Sequence, residues 1–128
     1  MTDELPPLHE LESEVMEAVW DGPAQTTVRD VLLEVNRRAG RERAYTTIMT
    51  IMRRLDAKGL LERERHGKTD FYRARLSREA FAAQRAQEQV RALVEEYGDV
   101  ALVNFAAEMS RLDPARREQL RRLARRHA

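Results

Sequence analysis

The residues best placed to do chemistry lie between Thr46 and Ala57. With Ile48 at zero and about 100° per residue along a helix, Ile48, Ile51, Met52 and Leu55 form one apolar stripe. Thr46, Thr47, Thr50, Arg53, Arg54 and Ala57 fall on the other side. Small hydroxyl side chains allow close approach to a surface, threonine methyls can touch thymine methyls, and arginine reaches phosphates or guanine edges. That is the chemistry of a DNA major groove. Met49 lies at the margin and suits either core or contact. A surface helix that merely carries Thr and Arg would show the same face, so the helix alone does not decide.

A second basic feature follows directly. Leu61, Arg63, Arg65 and then Phe71, Arg73, Arg75 alternate with other residue types around His66-Gly67-Lys68-Thr69. Period-two alternation about a glycine turn predicts a β-hairpin. Arg63, Arg65, His66 and Lys68 on it could track a phosphate backbone or enter a minor groove. Glu62 and Glu64 alternate with Arg63 and Arg65, so only one edge is strongly positive. A Thr/Arg helix joined to a basic hairpin points to nucleic acid far more firmly than either part alone.

These two features need elements to hold them. Leu8, Leu11, Val15, Met16 and Val19 recur at helical spacing until Gly22-Pro23 stops them. Thr26 or Thr27 is a good N-cap for a second helix with Val28, Val31, Leu32 and Val35 on one face, closed by Gly40. The third helix is predicted from about Thr46 to Lys58, with Gly59 at its stop. Three helices and a hairpin in this order make a winged helix-turn-helix. Ser77 then opens a helix reaching about Tyr97; Gly98 breaks it, Asp99 caps a helix from Val100 to Met109, and Asp113-Pro114 starts the last one.

The charge is sorted along the chain. The 128 residues carry a net charge of only +1, with 23 Lys+Arg against 22 Asp+Glu. Residues 1–28 come to −7, residues 29–78 to +7, residues 79–113 to −4 and residues 114–128 to +5. A positive middle on an otherwise balanced chain suits a polyanion partner; solvated helix faces would give the same blocks. Arg outnumbers Lys by 21 to 2, which favours phosphate and guanine contacts but also follows from a GC-biased genome.

The helices after the hairpin carry apolar residues that about fifty residues cannot bury alone. Phe81, Val90, Leu93, Val94 and Tyr97 lie on the first, Leu102, Val103, Phe105 and Met109 on the second, and Leu112, Leu120 and Leu123 on the last. A partner subunit is the simplest cover, and a two-fold dimer the commonest closed arrangement. Folding back on the same chain is the competing arrangement. Arg116, Arg117, Arg121, Arg122, Arg125 and Arg126 flank the last leucines; they suit a helix C-terminus, an acidic surface or added DNA attraction.

Other chemistries find no support. Cysteine is absent, which excludes disulfides, thiolate metal sites and a cysteine nucleophile. His9, His66 and His127 are scattered singly without metal-like spacing. There is no phosphate-binding glycine loop and no nucleophile elbow. An enzyme is therefore not expected, nor a cofactor. No apolar run approaches the roughly 18 residues of a membrane span, and the acidic start is unlike a secretory signal. The expectation is a cytoplasmic protein without membrane insertion.

The run Ala44-Tyr45-Thr46-Thr47-Ile48-Met49-Thr50-Ile51-Met52-Arg53-Arg54-Leu55-Asp56-Ala57-Lys58-Gly59, followed by Arg63, Gly67-Lys68 and Tyr72, resembles the penicillinase-repressor (BlaI/MecI/CopY-type) family. Leu11-Glu12-Ser13-Glu14-Val15-Met16 with Val19-Trp20, and Thr27-Val28-Arg29-Asp30-Val31, are similar to that family's first two helices. The likeness is close over about residues 8–75 and looser beyond. It implies a homodimeric repressor on an inverted-repeat operator, reading DNA with Thr46, Thr47, Thr50 and Arg54, with Arg53 beside them and Arg65 and Lys68 on the wing. Some members are inactivated by a cut at an Asn–Phe bond that depends on a membrane-bound zinc metalloprotease sensor. Asn104-Phe105 matches that dipeptide, although Phe105 as core and Asn104 as incidental fit equally. The copper-sensing branch uses C-terminal cysteines, which this chain lacks.

The expected architecture is mainly α with a small β-hairpin: a winged-helix domain over residues 1–76 and a helical dimerisation domain over residues 77–128. The expected function is sequence-specific repression by a homodimer. A winged-helix module that binds protein instead of DNA is the alternative, and salt-insensitive partner binding would mark it.

Overall fold

The computed structural model describes residues 8–126. His127 lies outside the described residues. The chain forms α1 (Glu10–Asp21), α2 (Val28–Ala39), α3 (Tyr45–Ala57), β1 (Leu61–His66), β2 (Thr69–Ala74), α4 (Arg78–Tyr97), α5 (Asp99–Ser110) and α6 (Pro114–Arg126). Contacts group it into two compact units, residues 1–86 and residues 87–128. The division falls inside α4, so the first turns of that helix belong with the winged-helix unit.

In the first unit the predicted stripes converge on one core. Val15, Met16 and Val19 from α1, Val31 and Val35 from α2, and Ile48, Met52 and Leu55 from α3 are buried together. Leu60, Leu61 and Tyr72 close it from the wing side. Interior positions of this kind stabilise the winged-helix frame, because each apolar side chain removed from water contributes about 1.5–3 kcal/mol.

Helix ends follow local chemistry. Thr27 caps α2, its hydroxyl accepting from the Asp30 amide at 3.2 Å. Gly40 ends that helix at φ +67°, a left-handed conformation that a side chain would strain. Asp113 caps α6 through the Arg116 amide at 2.9 Å. The cap of α5 differs from expectation: Gly98 is the capping residue, with φ +57°, and Asp99 occupies the first turn. There its carboxylate suits the positive end of the helix dipole.

The hairpin is antiparallel, with Leu61 opposite Ala74, Arg63 opposite Tyr72 and Arg65 opposite Asp70. A short third segment joins it. Thr26 donates to the Tyr72 carbonyl at 2.9 Å, and Tyr72 donates back to the Thr26 carbonyl at 2.8 Å. This bridge ties the wing to the residue just before α2.

The start of α4 is pinned to α1. Arg78 pairs with Glu17 and Asp21, each at 2.6 Å, and stacks 5.5 Å above the Trp20 ring. Trp20 donates to the Leu76 carbonyl at 2.9 Å and meets Phe81 at 5.6 Å between ring centroids.

In the second unit, Ala101 is buried, whereas Val90, Leu93, Tyr97, Val100, Leu102, Val103 and Leu123 are exposed. Leu93, Tyr97, Val100, Ala101, Asn104 and Phe105 line a shallow apolar groove of about 300 Å³.

Candidate nucleic-acid interface

The third helix presents the face that periodicity predicts. Ile48, Met52 and Leu55 are fully buried and Ile51 is nearly so, while Thr46, Thr47, Thr50, Arg53 and Arg54 are exposed. The helix begins one residue earlier than expected, at Tyr45, and ends at Ala57 with Lys58 as its cap. Half-buried Met49 packs against the core.

The hairpin register explains how the wing meets this helix. Side chains alternate between faces, so Leu61, Arg63, Arg65, Asp70 and Tyr72 share one face, and Glu62, Glu64, His66, Phe71 and Arg73 the other. On the second face Arg73 pairs with Glu62 at 2.7 Å, and the Glu62 carboxyl is held below its ordinary range by that arginine. On the first face the buried ends, Leu61 and Tyr72, pull Arg63 and Arg65 to the α3 side.

A cleft of about 670 Å³ results between α3, the start of α2 and the wing. Thr27, Arg29, Tyr45, Met49, Arg53, Arg65, Lys68, Asp70 and Tyr72 line it. Arg53, Arg65 and Lys68 are thus brought to one cleft, whereas Thr46, Thr47, Thr50 and Arg54 do not line it but lie on the exposed surface of α3. Arg29, Arg54 and Lys68 have no carboxylate partner among the described residues. Asp70 is the one acid lining the cleft among the described residues, and it lies 3.6 Å from Arg65 and 3.8 Å from Arg63. Arg63 also approaches Asp56 at 3.7 Å, so it faces two carboxylates where Arg65 faces one.

Sequence reasoning missed Arg29, Tyr45 and Tyr72 as lining residues. Arg29 carries a readable signal, since it follows a Thr cap in the first turn of a helix, where amides point outward. Tyr72 carries none, because its position depends on the Thr26 bridge. Burial pushes its hydroxyl above the ordinary tyrosine range, with Arg63 and Arg53 pulling the other way and Asp70 adding to the rise.

The residues expected at a dimer interface divide between the units. Phe81 packs on Trp20 in the first unit. Val90, Leu93, Val94 and Tyr97 on α4, Leu102, Val103 and Phe105 on α5, and Leu120 and Leu123 on α6 lie in the second. Val103 is 66% exposed and Tyr97 54%. Asn104 sits within α5, its side-chain amide donating to the Val100 carbonyl at 2.8 Å, and Phe105 is half-buried. Among the described residues no group of His, Cys, Asp or Glu could hold a metal ion, and no helix is long and apolar enough to cross a membrane.

Residues 8–126 match the family described as Penicillinase repressor. Among solved structures, the DNA-binding domain of the repressor BlaI, determined in solution, is similar at 23% identity and TM-score 0.51, covering 62% of this chain and 93% of that one. A RosR complex structure is similar at 17% identity and TM-score 0.51, covering 79% of this chain and 94% of that one. At these identities the likeness is one of fold, the winged helix. No curated protein matches.

Proposed function

The chain belongs to the penicillinase repressor family of DNA-binding transcriptional repressors, and on that premise we propose that it acts as a homodimer on inverted-repeat operators. One observation carries this reading: α3 holds three threonines and two arginines exposed while Ile48, Ile51, Met52 and Leu55 on its opposite face are buried. A helix so anchored can enter a major groove without losing packing, and its hydroxyls and guanidinium groups meet base edges there. Arg65 and Lys68 contact the backbone from the wing. Thr46, Thr47, Thr50 and Arg54 carry the sequence preference; Arg53 and the wing cations set register.

The second copy covers the exposed apolar side chains of α4, α5 and α6. Their exposure in a single chain supports this, since monomers rarely leave so many large apolar residues in water. Two reading heads then match an operator with two-fold symmetry. Selection of bound duplexes from a random pool tests the reading. It should return two copies of one half-site in inverted orientation, about one helical turn apart or a multiple of it; a single asymmetric site, or no enrichment, would reject it.

Inactivation by cutting between Asn104 and Phe105, triggered by a membrane metalloprotease sensor, is the second part of the proposal. The peptide bond lies inside α5, so cleavage has to wait for that helix to open. Mapping the fragment termini after induction in cells tests this part. Cytoplasmic residence follows from the same reading.

A further inference from the structure

The cleft beside α3 contains a polar group that the fold leaves unserved. Tyr72 is 1% exposed, and its hydroxyl proton finds no acceptor among the described residues. Arg53 lies close enough to donate toward the hydroxyl oxygen and Arg63 adds its charge, but guanidinium groups only donate and cannot accept its proton. A buried hydroxyl in that state is destabilising, and phenylalanine would fill the same space without the penalty. The first turn of α2 meets the same cleft. Thr27 serves the Asp30 amide, which leaves the Val28 and Arg29 amides without an intrahelical acceptor at the positive end of a twelve-residue helix.

We propose that this cleft seats one phosphate of the DNA backbone, with the Tyr72 hydroxyl as a neutral donor at its floor. Arg53 and Lys68 supply the charge, and the α2 amides close the seat from the other side. The exposed Arg53 side chain turns aside to admit the phosphate oxygen, while Tyr72 stays fixed by its two backbone bonds to Thr26. Asp70 opposes an anion there, but its pairing with Arg65 and Arg63 offsets that charge. The seat lies between the α3 face and the wing, so it fixes how the helix is presented to the groove. The inference rests on the DNA-binding reading above, and the occupant is backbone phosphate rather than free anion.

The test compares Tyr72→Phe with the unaltered full chain on a selected duplex and on a scrambled one. Both affinities should fall by the same factor, roughly tenfold, as expected for one hydrogen bond to a charged group. The slope of log affinity against log salt should not change, because no charge is lost. The thermal midpoint should match or exceed that of the unaltered protein. A methylphosphonate scan of the duplex needs no substitution at all: one phosphate per half-site should stand out, and its neutralisation should weaken Tyr72→Phe less than the unaltered chain. Unchanged binding by Tyr72→Phe, or a scan in which no position stands out, would overturn the seat and leave the repressor reading intact. Addition of inorganic phosphate at the concentration that accompanies the salt series should not compete beyond its ionic strength; selective competition would assign the cleft to a free anion and overturn it. If the unaltered chain binds no duplex, the reading and the seat fall together.

Discussion

The Lys58 ammonium lies 2.7 Å from the Glu12 carboxylate, which is 1% exposed. This pair spans 46 residues and joins the first turn of α1 to the cap of α3. Glu12 also accepts from the His9 amide at 3.1 Å. Burial disfavours its ionised form, but the Lys58 and His9 hydrogen bonds outweigh that, and the carboxyl sits below its ordinary range. The contact holds α3 against α1 at the end far from Thr46 and Thr47.

Lys58→Met should therefore destabilise the fold by about 2 kcal/mol, since it strands a buried carboxylate whose partner was partly exposed. The stabilisation is full above the unfolded carboxyl value near 4.5 and fades as pH falls through the lower folded value. Urea unfolding at neutral and acid pH should show the variant and the unaltered chain converging as pH drops.

Lys68→Ala should weaken binding to every duplex by a similar factor and reduce the salt slope by about 1. Asp70→Asn should act in the opposite sense, tightening binding to all duplexes by releasing Arg65 and removing the one acid among the described residues lining the cleft. Anisotropy titrations across a salt series measure both. A change restricted to one sequence would place these residues at base edges instead.

In the second unit, Val103→Glu should give a monomer in sedimentation at micromolar concentration while the circular dichroism stays helical, because the side chain is 66% exposed in a single chain. Operator affinity should fall by at least tenfold as the second reading head is lost. A dimer of unchanged strength would move the interface elsewhere.

Trp20→Phe should remove the donor to the Leu76 carbonyl and cost about 1–2 kcal/mol, measured by thermal melting. Phe81→Ala should act on the same junction, and the two losses should be less than additive because the rings touch.

Much of this was legible in the residues themselves. The buried stripe Ile48, Ile51, Met52 and Leu55 follows from helical period, and the hairpin from Arg63, Arg65 and Gly67, because local patterns encode local structure. What depended on distant pairing was hidden. The Glu12–Lys58 bond has no local signature, and neither does the burial of Tyr72, which rests on a bridge to Thr26. Phe81 reads as one more apolar residue on a helix, yet Trp20 claims it for the first unit. The Asp99 cap was displaced by Gly98, whose positive φ the sequence alone does not reveal.

The central claim is that the exposed threonines of α3 read sequence, and the affinity ratio between a selected inverted-repeat duplex and its scrambled form tests it most directly. The unaltered chain should discriminate by roughly 10³ or more. Thr47→Ala with Thr50→Ala should cut that ratio by at least tenfold, with scrambled-duplex affinity unchanged. An equal ratio in both proteins would contradict the claim.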